Sequence, residues 1–465
     1  MNFFSHKKAF WFRSTVILVW LVFLGLLIQR EFFVTTVTPG EQQLLEQAAR
    51  EEYQGIYFRD QKIGYVINQY QPGEGKTIQI DQKAHMNLNV AETMHKIDLH
   101  LQAVLNADST LESFIFDFES PFYRMSASGA VNGKMVDFNL TTGSNTITDS
   151  LPVTGPPIVP TARRGYLLTE GLAKGDRLKV PWFDPVSLTA KDSVVEYWGR
   201  DRVQIGGRVY NLHKFTENYG GARVSLWLSD EGDVMKEESP AGFVFIKEPK
   251  FKALNVSETG DELLASVAVQ VTGTMPVLEG RTQMRYRLQL PEDGEFDLND
   301  GRQHYNGDIL TIEQEVEPEN AIADSENACD DLGDSLAATP YIQADSAKIA
   351  ELVAKVIALG DSRLKRIQKL ADWVYNNLEK RPVLGIPDAL TTLDNLRGDC
   401  NEHAALFAAL ARNAGIPTRI AAGVMFHQGA FYYHAWNEVC VGGRWLSLDT
   451  TTNQFPADLS HIKFV

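Results

Sequence analysis

The stretch LRGDCNEHAALFAALARNAG, Leu396 to Gly415, sets a cysteine directly after a Gly-Asp turn and at the head of an alanine-rich apolar run. Leu406, Phe407 and Leu410 recur at helical spacing, and Gly415 stands where a helix commonly stops on a residue of positive φ. Cys400 therefore falls at a helix N-terminus. Unpaired backbone N–H groups and the helix dipole favour a thiolate there, so the thiol pKa is expected to fall from about 8.5 toward neutral pH. A helix start alone does not separate a nucleophile from a small buried hydrophobe. A nucleophile needs a base, and the base needs a group that orients it.

Both appear downstream in YYHAWNEVCVGGRWLSLDTTT, Tyr432 to Thr452. Gly442 and Gly443 supply a two-residue hairpin turn between strands rich in aromatic and β-branched residues. If Val441 pairs with Arg444, Trp436 faces Asp449 and His434 faces Thr451. His434 and Asp449 then become diagonal neighbours on one face of the sheet. A three-residue loop would put them on opposite faces. A carboxylate beside an imidazole fixes its tautomer and stabilises its charged form. Cys400, His434 and Asp449 thus have the side chains for the three roles of a thiol acyl-transfer site.

GDCNEHAALFAALARNAGIPTRIAAGV followed by YYHAWNEVCVGGRWLSLDTTT resembles the core of the transglutaminase-like superfamily, a papain-like Cys-His-Asp fold, over about residues 340–460. The Gly-Asp-Cys start, the Gly-Ile-Pro-x-Arg turn, the His-Ala-Trp-x-Glu strand and the Gly-Arg-Trp to Leu-Asp strand come in the family's order. The resemblance implies Cys400 as nucleophile, His434 as general base and then acid, and Asp449 as the orienting carboxylate. It places Trp436 in the wall of a substrate site, and Asn395 is a candidate oxyanion donor beside backbone N–H groups. Glu402 and His403 flank the nucleophile, where helix capping or surface exposure accounts for them equally well.

Outward from this core, the spacing in DSAKIAELVAKVIALG and around Leu364, Ile367, Ala371 and Val374 predicts two packing helices. Ile97, Leu99, Leu101, Ala103 and Leu105, and then Phe114, Phe116 and Phe118, alternate at period two, which predicts an antiparallel β domain over 53–255. The proline-rich SLPVTGPPIVP, Ser150 to Pro160, reads as a rigid loop crossing that sheet. Residues 256–338 read as a β segment followed by an acidic linker. Asp324, Asp330, Asp331 and Asp334 lack the spacing and closing Glu of a calcium loop. QQLLEQAAREEY, Gln42 to Tyr53, has the composition of a short helix, assigned to 36–52. At the N-terminus, Lys7, Lys8 and Arg13 precede the uncharged STVILVWLVFLGLLIQ, Ser14 to Gln29, with no small-residue cleavage site after it. Residues 1–35 are therefore expected to be a cytoplasmic tail and an uncleaved transmembrane anchor.

The expected fold class is α+β: an N-terminal transmembrane helix, an antiparallel β-rich middle domain, and a transglutaminase-like α+β domain over 339–465. The expected location is the inner membrane, single-pass, with the bulk in the periplasm or outside the cell. A net charge of −16 over 465 residues disfavours nucleic acid as a partner. No cofactor and no metal are implied. Three cysteines without a C-x-x-C pair make no disulfide framework, although Cys329 and Cys440 could pair in an oxidising compartment. The expected activity is attack on a protein or peptide amide in the cell envelope, giving hydrolysis or crosslinking. The alternative is an envelope scaffold that binds peptides on the same fold without chemistry.

Overall fold

The computed structural model describes residues 35–36, 50–90, 93–219, 222–239, 241–256, 263, 267–290, 296, 298–316, 318, 329 and 332–465. Their period-two segments pair in sequence order. Eight strands from Arg50–Phe58 to Asn145–Pro152 form one antiparallel meander, and six from Arg177–Asp184 to Phe243–Lys247 form a second. The two join where Phe243–Lys247 pairs with Arg50–Phe58, giving a single fifteen-stranded sheet with the short strand Thr35–Thr36 at its edge. Ile97, Leu101, Ala103 and Leu105 are buried with Phe114 and Phe116, while Leu99 and Phe118 are only partly covered. The proline-rich crossing ties the meanders together. The Ile158 N–H donates to Pro181 O at 2.8 Å and the Phe183 N–H donates to Ile158 O at 2.9 Å.

The C-terminal part packs the helices Ala347–Val356, Arg363–Asn377, Ala389–Asn395 and Cys400–Asn413 against the strands Thr418–His427, Ala430–Val441, Arg444–Leu448 and His461–Lys463. The Cys400–Asn413 helix lies at the centre of this core, with Leu406, Phe407 and Leu410 fully buried. Gly415 has φ +74 just past its end.

The described residues between 267 and 316 belong to this same body. Val269–Gln270 extends the C-terminal sheet by pairing with Phe431 and Ala430. Gln283–Arg287, Gln303–Asn306 and Ile309–Glu313 form a small sheet whose Leu310 and Ile312 pack with Phe431, Leu459 and Ile462.

The large sheet docks through the hairpin at Ser120–Tyr123. Ser120 Oγ donates to Leu384 O at 2.6 Å, and Tyr341 Oη donates to Val186 O at 2.7 Å. Gly385 is required at this contact because a Cβ there would come 2.6 Å from the Tyr123 ring.

Three expectations are corrected. The fold class is mostly β, with 50% strand and 16% helix, because the great sheet and the added small sheet outweigh the helical core. The anchor over Ser14–Gln29 lies outside the described residues. Among the described residues no helix is long and apolar enough to cross a membrane, so the transmembrane component and the inner-membrane, single-pass location drawn from it are withdrawn. Finally, the helical composition of Gln42–Tyr53 yields to strand from Arg50 onward. Pairing with Gln61–Pro72 and burial of Tyr53 and Ile56 outweigh local propensity there.

Candidate active site

Two local sequence features build the site. Asp399 is the N-cap of the Cys400 helix: its carboxylate accepts from the Asn401 N–H at 3.0 Å, and the Glu402 carboxylate accepts from the Asp399 N–H at 2.9 Å. This is a capping box, so Glu402 serves the helix end, and it is buried rather than exposed. His403 is fully buried, and its Nδ1 lies 2.7 Å from Asp399 O. The second feature is the Gly442-Gly443 turn, with φ of +57 and +75. It closes a two-residue loop in which Val441 pairs with Arg444 and Asn437 with Leu448.

That register brings His434 Nε2 to 2.9 Å from Asp449 Oδ2, with both side chains buried. Asp449 is held on every side. Oδ1 accepts the Thr451 N–H at 2.7 Å, Oδ2 also accepts from the Thr452 hydroxyl, and the backbone of Asp449 exchanges hydrogen bonds with Gln454. Burial alone would raise its pKa. Hydrogen bonds from His434 and His461 overcome that and hold the carboxyl well below the usual range. Trp436 is buried, with its ring stacked on His434 at 6.2 Å between centroids and edge-on to His461 at 5.2 Å.

Cys400 is free and nearly buried, packed on Ala404 and Ala435. Its pKa is pushed up to about 12, by burial first and by the Asp399 carboxylate second, with a smaller opposing contribution from the Ala435 backbone. The expected lowering by the helix dipole is therefore corrected. The cap that terminates the helix places a negative charge beside the thiol, and the positive helix end is spent on that cap. Among the described contacts no hydrogen bond joins the Cys400 thiol to His434. On that strand Ala435, next in the chain to His434, packs on Cys400.

Asn395 ends the preceding helix and lines a cleft against the large sheet with Phe122, Tyr123 and Arg397. No described contact brings it to Cys400. Cys440 forms a disulfide with Cys329, with Cα atoms 6.1 Å apart, on the strand that carries His434.

Sequence reading missed His461. It is fully buried on the last strand, with Nε2 3.3 Å from Asp449 Oδ2 and Nδ1 3.0 Å from Asp458 Oδ1. A histidine three residues after an Asp near the chain end carried no signal of its own. The side-chain ligand atoms of His434, Asp449 and His461 lie within 4.8 Å of one another. A cation among them would have to replace the hydrogens that both imidazoles direct at Oδ2, and the cluster is satisfied as a hydrogen-bond network without one. Arg302, just before the strand Gln303–Asn306, and Glu315, just after Ile309–Glu313, brace this corner. Arg302 donates to Ala457 O at 2.5 Å and to Asp458 O at 2.9 Å, and Glu315 accepts the Ser447 N–H at 3.1 Å.

Residues 350–450 match the transglutaminase-like superfamily. A 99-residue stretch is 33% identical to an uncharacterised protein of Haemophilus influenzae, and it covers 20% of this chain and 27% of that protein. The chain thus spans little more than a quarter of the relative it matches. Among solved structures, a candidate cysteine protease from Cytophaga hutchinsonii overlaps at TM-score 0.30 and 20% identity, over 43% of this chain and 74% of that one. A β-barrel-like protein of a domain family of unknown function from Brucella abortus overlaps at TM-score 0.34 and 12% identity, over 43% of this chain and 98% of that one.

Proposed function

From the premise that residues 350–450 are a transglutaminase-like domain, we propose that the protein is a thiol acyl-transfer enzyme acting on protein or peptide amides. The observation that carries this is the buried His434–Asp449 pair at 2.9 Å on the strand whose Ala435 packs on Cys400. In this reading the resting thiol is neutral and general base catalysis activates it. His434 has Nε2 committed to Asp449, which leaves Nδ1 to take the Cys400 proton as Sγ bonds to the substrate carbonyl carbon. His434 then returns that proton to the leaving amine as the C–N bond breaks. Water or a second amine attacks the thioester, gives its proton to His434, and the thiol is regenerated. Asp449 orients His434 and stabilises it when charged. Trp436 walls the site.

The test is incubation of the full chain with protein substrates and a labelled primary amine, read by mass spectrometry beside Cys400→Ala. New chain termini, released ammonia or incorporated amine in the wild type alone are expected. Identical outcomes for the two proteins across the substrates overturn the reading. A second reading, a peptide-binding scaffold without chemistry, is favoured by the neutral, nearly buried thiol and by the lack of a described Cys400–His434 hydrogen bond. It requires that peptide capture survive Cys400→Ala while the wild type yields no product.

A further inference from the structure

The contact of His461 with two carboxylates has a chemical consequence. Nδ1 lies 3.0 Å from Asp458 Oδ1 and Nε2 lies 3.3 Å from Asp449 Oδ2. A neutral imidazole carries one N–H, so one of these contacts would oppose two lone pairs in a buried site, at real cost. An imidazolium satisfies both. Asp449 Oδ2 in turn faces two imidazoles, since His434 approaches it at 2.9 Å, and the rings of His434 and His461 are 5.4 Å apart. Other charged groups face the same corner. The Arg302 guanidinium lies 3.4 Å from the His461 carbonyl, with Glu315 beside it at 3.8 Å, and the Tyr286 hydroxyl bonds to Leu459 O.

We propose that His461 is a buried imidazolium and a positioning residue: it fixes the Asp449 carboxylate through the same oxygen that His434 approaches and shares its charge. The inference rests on the acyl-transfer reading for its catalytic meaning. Its physical content stands on the geometry of these four side chains. Trp436, packed on both rings, excludes water that would screen the two charges from each other.

The test uses the full chain with histidine-selective 15N labelling. In the wild type at neutral pH, His461 is expected to show two protonated ring nitrogens. In His461→Gln, whose amide still donates to Asp449 without a charge, the proton that His434 Nε2 donates to Asp449 is expected to move downfield, because the oxygen it meets is no longer shared with a cation. Asp458→Asn removes a partly exposed carboxylate instead of a core side chain, 37% exposed, and should move that proton resonance in the same direction by a smaller amount. It serves if His461→Gln fails to fold. A neutral His461 ring in the wild type, or an unmoved His434 Nε2–H resonance in whichever variant folds, overturns the inference. The failure of the acyl-transfer reading looks different: no product forms on any substrate, whatever the ring nitrogens report.

Discussion

His434 and Asp449 stand on neighbouring strands, 2.9 Å apart and almost wholly out of water, because a two-glycine turn sets their register. The contact is diagonal across the hairpin. One residue more in the turn would send Asp449 to the other face of the sheet.

Replacing Asp449 with Asn keeps the size of the side chain but removes the charge that stabilises a protonated His434. Turnover of any amide substrate is expected to fall by roughly a thousandfold or more, with circular dichroism unchanged. Equal rates for Asp449→Asn and the wild type would remove the carboxylate from the mechanism.

Cys400 should alkylate slowly when no substrate is present. With the thiol pushed up to about 12 by burial and by Asp399, iodoacetamide labelling at neutral pH is expected to be roughly a hundredfold slower than for an exposed cysteine. The rate should rise steadily with pH well above neutrality. Asp399→Asn should speed labelling. Fast labelling at neutral pH would mean that the helix dipole prevails after all.

Asp449 and His461 give stability opposite pH dependences. The Asp449 pKa is depressed by folding, against the burial that would raise it, so its contribution is present above about pH 3.9 and is lost as pH falls through the lower folded value. The His461 pKa is raised by the two carboxylates, against burial. Its contribution is complete below about pH 6.5 and is lost as pH rises through the folded value. The stability difference between wild type and His461→Gln, from urea denaturation, should therefore be largest between these limits and shrink on both sides. A difference that does not vary with pH would contradict this.

The disulfide joins Cys329 to Cys440 across 111 residues of chain. The denatured, unreduced protein should titrate one thiol and the reduced protein three. Cys440→Ser is expected to cost about 3 kcal/mol of stability under oxidising conditions. It should leave Cys400 as reactive toward iodoacetamide as before. Three thiols without reduction would exclude the bridge.

The periodic segments were legible in the sequence. The alanine-rich helix with its cysteine, the alternation at Ile97 and Phe114, and the glycine pair that fixes the His434 register all act over a few residues, where local sterics and one buried face decide the outcome. The sequence by itself therefore determined the pairing of the hairpin and, with it, the approach of His434 to Asp449.

What it could not supply were effects of distance and burial. Thirteen strands flank Arg50–Phe58 in one continuous sheet beyond the edge strand Thr35–Thr36, and that pairing, not local helix propensity, decided Arg50–Tyr53. The rise of the Cys400 pKa needs the burial and the neighbouring carboxylates that only packing creates. His461 becomes significant only because the final strand lays it against Asp449, with Arg302 pinning the backbone that leads into it. A single histidine has no periodicity to read, and its charge state is set by two carboxylates that meet it only in three dimensions.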